Sequence, residues 1–195
     1  DSLEYQAITV KELVEGFRRA RSPQNRISGV IMFTSLFFFD GETIAPKPAY
    51  DELKLAMQPI LVSTDSWKWH YYSGDTLKTG VHIVHDDVFQ PVLPSGEIRV
   101  TLVNEAETTL ATANIPTPEV AYYNNWQNTL ALSLPQVDVP TRAQRRLEYV
   151  AGGKVQSQNQ ESIFLAPRSW AQADAQQNNV ALVLYDPVGT TATQF

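Results

Sequence analysis

Apolar residues recur at three- and four-residue steps between Leu3 and Arg21, which places Leu3, Ala7, Ile8, Leu13, Val14 and Phe17 on one face of an expected helix. Ser2 is positioned to cap its N-terminus, and Arg18, Arg19 and Arg21 suit the negative end of the helix dipole. Pro23 ends it. Next comes Ser28-Gly-Val-Ile-Met-Phe33, a continuous apolar run of the kind buried on both faces of a parallel sheet. Pro46 and Pro48 close a loop and start a second short helix, in which Tyr50, Leu53, Lys54 and Met57 share a face and Pro59 is the stop. The first sixty residues therefore read as helix, strand, loop, helix.

From Ile60 onward apolar and polar positions alternate in short runs, as in Val81 and Ile83, Ile98 to Leu102, Thr109 to Ala113, Leu130 to Leu134, and Ile163 with Leu165. Turn residues separate them at Ser73-Gly74-Asp75, Pro94-Ser95-Gly96, Pro116-Thr117-Pro118 and Gly152-Gly153. Six or seven such strands over roughly 105 residues predict a mainly β chain built on an antiparallel sandwich of immunoglobulin type. A last apolar run, Asn179 to Tyr185, follows a polar stretch and reads as the opening of a further domain. The expected organisation is 1–59, 60–166 and 167–195.

Composition narrows the classes. At 195 residues the chain is too short for a complete eight-fold barrel, which needs about 250. With 43% hydrophobic and 18% charged residues it can bury a core, which excludes a disordered tail. A net charge of −6 argues against neutralising a phosphate backbone, so nucleic acid is not an expected partner. The absence of cysteine excludes disulfides and thiolate sites. The longest apolar run, Gly29 to Phe39, is broken by Thr34 and Ser35 and falls short of the roughly 18 residues of a membrane span. The start at Asp1, with no basic segment leading into an apolar one, reads as a piece of a longer chain whose signal peptide lies upstream or has been removed.

Candidate chemistry is sparse. His82 and His85 are three apart, and on a strand they would point to opposite sides, which does not make a metal site. Acidic residues form no recognisable catalytic pair, and no nucleophile elbow, phosphate loop or dinucleotide fingerprint occurs. No metal or other cofactor is implied. Trp67, Trp69 and Tyr71 would share a strand face, and Tyr122, Tyr123 and Trp126 form a second cluster. Exposed, such rings are platforms for the apolar face of a sugar; buried, they are sandwich core.

Tyr5-Gln6 leading a helix, Ile27 to Phe33 as a strand, Pro46-Lys-Pro-Ala-Tyr50 opening a helix and Met57 to Ser63 leaving it resemble the end of the catalytic barrel in glycoside hydrolase family 2. That family includes β-galactosidases, β-glucuronidases and β-mannosidases. The stretch with Gly74-Asp75, Gly96, and Gly153 to Asn159 resembles the immunoglobulin-like domain that follows this barrel. The resemblance implies that 28–33 is the eighth barrel strand, with Phe33 and Thr34 at the substrate-facing end, where the family usually carries a tryptophan at the Phe33 position. It also implies that the catalytic glutamates lie on earlier strands outside this chain, so the piece alone is expected to have no glycosidase turnover.

The leading expectation is thus a non-catalytic C-terminal portion of a family 2-like hydrolase, in a secreted or periplasmic bacterial protein. Its partners would be the rest of the parent chain and, through the parent, carbohydrate. The alternative is a stand-alone carbohydrate-binding sandwich using Trp67, Trp69 or Trp126. Separated from a barrel, Ile8, Leu13 and Phe17 need cover from the sandwich or from a homodimer; solvated in a monomer, they would overturn the assignment of the first sixty residues.

Overall fold

The computed structural model describes residues 2–22, 24–27, 29–31 and 35–172. Helix α1 (Ser2–Arg19) is followed by a hairpin of β1 (Phe37–Asp40) and β2 (Thr43–Pro46), and by helix α2 (Pro48–Ala56). The strands β3 (Ile60–Thr64), β4 (His70–Tyr72), β5 (Thr76–His85), β6 (Val92–Leu93), β7 (Gly96–Asn104), β8 (Thr109–Thr117), β9 (Val120–Ala121), β10 (Asn125–Ser133), β11 (Thr141–Ala151) and β12 (Lys154–Ala166) make the rest, before a 3-10 turn at Arg168–Gln172. The protein is mainly β. One sheet has the order β10-β5-β3 and the other β4-β12-β11-β7-β8; pairing is antiparallel except where β4 runs parallel to β12.

Alternation builds the core. On β11 the inward positions are Ala143, Arg145, Leu147, Tyr149 and Ala151, and on β7 they are Ile98, Val100 and Leu102. They meet Val62, Leu77, Val81, Ile83, Leu130 and Leu132 from the smaller sheet in one apolar cluster. Gly152 and Gly153, with φ of +57° and +73°, form the two-residue turn from β11 into β12, a backbone conformation L side chains resist. At Gly96 a Cβ would run into the Val150 carbonyl oxygen, so the close approach of β7 to β11 there requires glycine.

Three features differ from the sequence reading. The apolar run 28–33 carries no strand over its described residues 29–31; Ser28, Met32, Phe33 and Thr34 lie outside the described residues, as does the expected strand at 179–185. A hairpin, Phe37–Asp40 with Thr43–Pro46, stands where a loop was expected. In the second helix the buried positions are Ala49 and Ala56, while Tyr50 and Met57 are exposed; small side chains allow α2 to lie close against α1.

Helix α1 is the largest surprise. It forms as expected, but it buries Ala7, Val10 and Val14 together with the charged Lys11, Glu12 and Glu15. Ile8, Leu13 and Phe17 face outward at 42%, 47% and 45% exposure. Among the described residues the sandwich therefore leaves these three side chains largely uncovered, because polar side chains of the larger sheet draw the charged side of the helix inward. Leu13 and Phe17, one turn apart, form an exposed ridge that a second copy of this chain would cover, and solution behaviour decides the matter. The isolated chain is expected to self-associate at micromolar concentration in sedimentation velocity, with Leu13→Glu and Phe17→Glu shifting it to monomer. A stable wild-type monomer with this ridge solvated would overturn the reading of residues 1–59 as part of a barrel.

Candidate functional site

Strand β3 is the edge of the smaller sheet, so one row of its backbone groups lacks ladder partners. Side chains of β12 supply them. Ser157 Oγ accepts from the Val62 N–H at 3.0 Å, and Asn159 Nδ2 donates to the Val62 carbonyl at 2.9 Å. One step further along, the Thr64 hydroxyl donates to Glu161 Oε1 at 2.8 Å and accepts from Arg145 Nη2 at 2.7 Å, while Arg145 also pairs with Glu161. Arg145 is fully buried, and its Nε and Nη1 find no acceptor among the described residues.

The buried side of α1 continues this polar row. Asn159 Nδ2 reaches Glu15 Oε1 at 2.8 Å; Arg19 contacts Glu15 at 3.3 Å, Glu12 at 3.8 Å and Ser63 Oγ at 3.2 Å; Lys11 donates to the Gln160 carbonyl and pairs with Glu52 at 3.5 Å. Carboxylate oxygens of Glu12, Glu15 and Glu161 come within 4.8 Å of one another, a spacing that could hold a cation. The donor set does not fit one, because Arg145 already pairs with Glu161 and Arg19 lies against both Glu15 and Glu12. Nor is it a glycosidic acid/base pair, since Glu161 is taken up by Arg145 and Thr64 and Glu15 by Asn159 and Arg19. The cluster is an ionic joint between helix and sandwich. Desolvation, with Glu161 and Glu15 beside it, pushes the Glu12 carboxyl up to about 7, against the pull of Arg19 and Lys11. Burial raises Glu15 as well.

A second joint holds the other end of α1. The Asn125 amide donates to the carbonyls of Arg18, Arg19 and Arg21 at 3.1, 3.0 and 3.0 Å, satisfying acceptors that a helix C-terminus leaves open. Asp86 pairs with Arg18 at 2.9 Å and with Arg21, whose guanidinium lies 4.0 Å from the centre of the Tyr123 ring. Neither joint was singled out from the sequence. The Asn124-Asn125 pair beside the aromatic cluster was the available signal.

The sequence-derived candidates fall in separate places. Trp67 is exposed, Trp69 half-buried, and Tyr71 buried, because only His70–Tyr72 pairs with β12 and 65–69 is irregular; the three do not share a face. Trp126 lies on the other sheet and leans on the apolar core. Phe33 and Thr34 are outside the described residues. Trp69 lines two adjoining cavities of about 530 and 320 Å3, which also share His70, Gln144 and Ser162. The histidines are held apart: His82 contacts Asp65 at 3.2 Å, and His85 Nε2 lies 2.7 Å from the Gln90 carbonyl, which can only accept. His85 Nδ1 accepts from the Asp87 N–H at 3.4 Å, which leaves Nε2 to donate to Gln90.

Two outcomes follow from the joint. Because the folded-state pKa of Glu12 lies above its unfolded value of 4.5, its stabilising contribution is complete below about pH 4.5 and is lost as pH rises through 7. Wild type is expected to be roughly 2–3 kcal/mol less stable from this group at pH 8 than at pH 5, and the difference between wild type and Glu12→Gln across a pH series of urea unfolding isolates it. For the buried pair, Glu161→Ala alone is expected to cost about 3–5 kcal/mol by stranding Arg145, while Glu161→Leu with Arg145→Met recovers most of that loss in the same assay.

No protein-family model matches the chain, and no curated protein matches it. Among solved structures it is similar to a sporulation control protein from Bacillus subtilis, at 14% identity and a TM-score of 0.48, over 60% of this chain and 53% of that one. Partial matches include glycosyl hydrolase family 2 structures. A member from Bacteroides cellulosilyticus is 13% identical, with a TM-score of 0.39, over 54% of this chain and 14% of that one. A β-glucuronidase of glycoside hydrolase family 2 is 9% identical, with a TM-score of 0.35, over 55% of this chain and 11% of that one. The chain thus spans about half the length of the first and a small part of the hydrolases, and at these TM-scores the likenesses carry no argument.

Proposed function

We propose that this chain is a non-catalytic C-terminal portion of a family 2-like glycoside hydrolase acting in carbohydrate metabolism. In this reading residues 1–59 are the end of the catalytic barrel, and the two sheets are an immunoglobulin-like domain that braces it. The observation that carries the reading is the divided burial of α1, which takes charged side chains inside beside Ala7, Val10 and Val14. A helix that merely capped a sandwich would turn its apolar side inward and its charges to water. Here Lys11, Glu12 and Glu15 are buried in the joint, while Leu13 and Phe17, one turn apart, stay exposed on the opposite side. Such a helix serves two bodies at once: a polar seam toward the sheets and an apolar seam toward a partner of barrel type. Phe33 and Thr34 would then stand at the rim of the sugar site, and the parent would be a secreted or periplasmic bacterial enzyme.

The fastening of α1 at both ends suits a brace, because it fixes the angle between the helix and the sheets. The chain alone is expected to release no chromophore from a panel of aryl glycosides, while the full-length parent does so. Introducing Leu13→Glu into the parent is expected to lower its thermal midpoint and its turnover together. Measurable turnover by the chain alone, or a parent indifferent to Leu13→Glu, would sink the reading.

A further inference from the structure

The outward positions of β11 and β12 are mostly polar, with amides and a hydroxyl among charged side chains. Arg142, Gln144, Arg146 and Glu148 on β11 stand opposite Phe164, Ser162, Gln160 and Gln158 on β12. Their inward neighbours are the buried core residues, so this row faces out by the period of the strand. Over it lie the two cavities at Trp69 and a third of about 380 Å3 that shares Gln160 with the second and is bounded by Leu55. Together they trace one groove along the strands. From Phe164 to Gln158 it runs about 20 Å at roughly 3.3 Å per residue.

Its two ends differ. At the Phe164 end the groove has aromatic walls: Trp69 is held in place by its carbonyl, which accepts from the Phe164 N–H at 2.7 Å, and the rings of His70 and Phe164 stack edge-on at 5.9 Å. Along the middle, the side-chain amides of Gln158 and Gln160 make no hydrogen bond among the described residues and are exposed, each offering both a donor and an acceptor. Arg146 grips Glu107 at 2.6 and 2.7 Å and Lys11 faces Glu52 at 3.5 Å, while Glu105 and Glu148 also border the groove, so its lining is more acidic than basic and disfavours an anionic ligand. Aromatic walls beside unpaired amides, in a lining that disfavours anions, suit a ligand that is apolar on its faces, rich in hydroxyls at its edges and without negative charge.

We propose that the groove over the outer face of β11 and β12 binds an extended neutral glycan chain, with Trp69 as the stacking platform and Gln144, Gln160 and Ser162 bonding its hydroxyls. The site needs no catalytic barrel, although Ile8, Lys11 and Glu12 of α1 wall its middle cavity; neither Trp67 nor Trp126 belongs to it.

The test is calorimetric titration of the whole chain with neutral xylo-, manno-, cello- and malto-hexasaccharides, with the matching disaccharides and an oligogalacturonate as controls. Saturable binding of at least one neutral hexasaccharide is expected, tighter than its disaccharide and tighter than the acidic chain. Trp69→Ala and Gln160→Ala should each weaken it roughly tenfold, while Trp67→Ala leaves it unchanged. Gln160→Ala removes an exposed side chain and keeps the backbone carbonyl that Lys11 uses, so it reads the groove even if Trp69→Ala fails to fold. No saturable heat with any hexasaccharide at about 10 mM, preference for the acidic chain, or binding that survives Gln160→Ala would overturn the proposal. Failure here leaves the aryl-glycoside and Leu13→Glu results untouched, so the two readings fail separately.

Discussion

An edge strand that cannot satisfy its own backbone governs this protein. Strand β3 closes the smaller sheet, and the groups it turns away from β5 face the interior, where water cannot reach them. The answer is to place Ser157, Asn159 and Glu161 on the inward face of β12, where an ordinary sandwich would carry aliphatic side chains. Leaving a buried amide group unpaired costs on the order of 1–3 kcal/mol, comparable to what a buried leucine contributes, so polar residues here are no weakness of the core. Their presence then sets what else can pack nearby. A helix approaching this strip must bring charges and amides of its own, and α1 brings Lys11, Glu12, Glu15 and Arg19.

The burial of charge on α1 follows from that strip rather than from the helix sequence. Periodicity alone assigns the apolar ridge to the inside, because in most helices burial and hydrophobicity coincide. The spacing of Lys11, Glu12, Glu15 and Arg19 on the adjacent face was equally visible, but its meaning depends on Asn159 and Glu161, some 140 residues later in the chain. Alternation made the strands around Ile98, Leu130 and Ile163 legible. Strand β11 was not, although it lies at the centre of the larger sheet: the run Arg142 to Glu148 is charged, and Arg145 occupies an inward position where an apolar residue would have revealed the period. A buried arginine hides a strand as effectively as a buried leucine shows one.

The hairpin at Phe37–Pro46 was missed for a different reason. Its two-residue turn contains Gly41 with φ of +57° behind Asp40, a hairpin signal in itself, but the aromatic run before it extended the apolar stretch from Gly29 and blurred the boundary. Among the aromatics, sequence spacing brought Trp67, Trp69 and Tyr71 together only if the segment were a regular strand. Pairing begins at His70, and the irregular lead-in sends the three rings to three environments. Trp69 lines a cavity, and the amides beside it carried no sequence signal, since an exposed glutamine is ordinary anywhere on a surface.

Asn125 is the first residue of β10, and its amide holds three carbonyls at the end of α1. Its side chain can do so only while Asn125 sits opposite Val84 in the pairing with β5. A slip of that pair by one residue would turn the amide to the other face of the sheet and leave the helix end without its donors. The docked helix therefore acts as a proofreader of strand alignment: a misregistered sheet could not seat it, and such a chain would betray itself by a loose N-terminus.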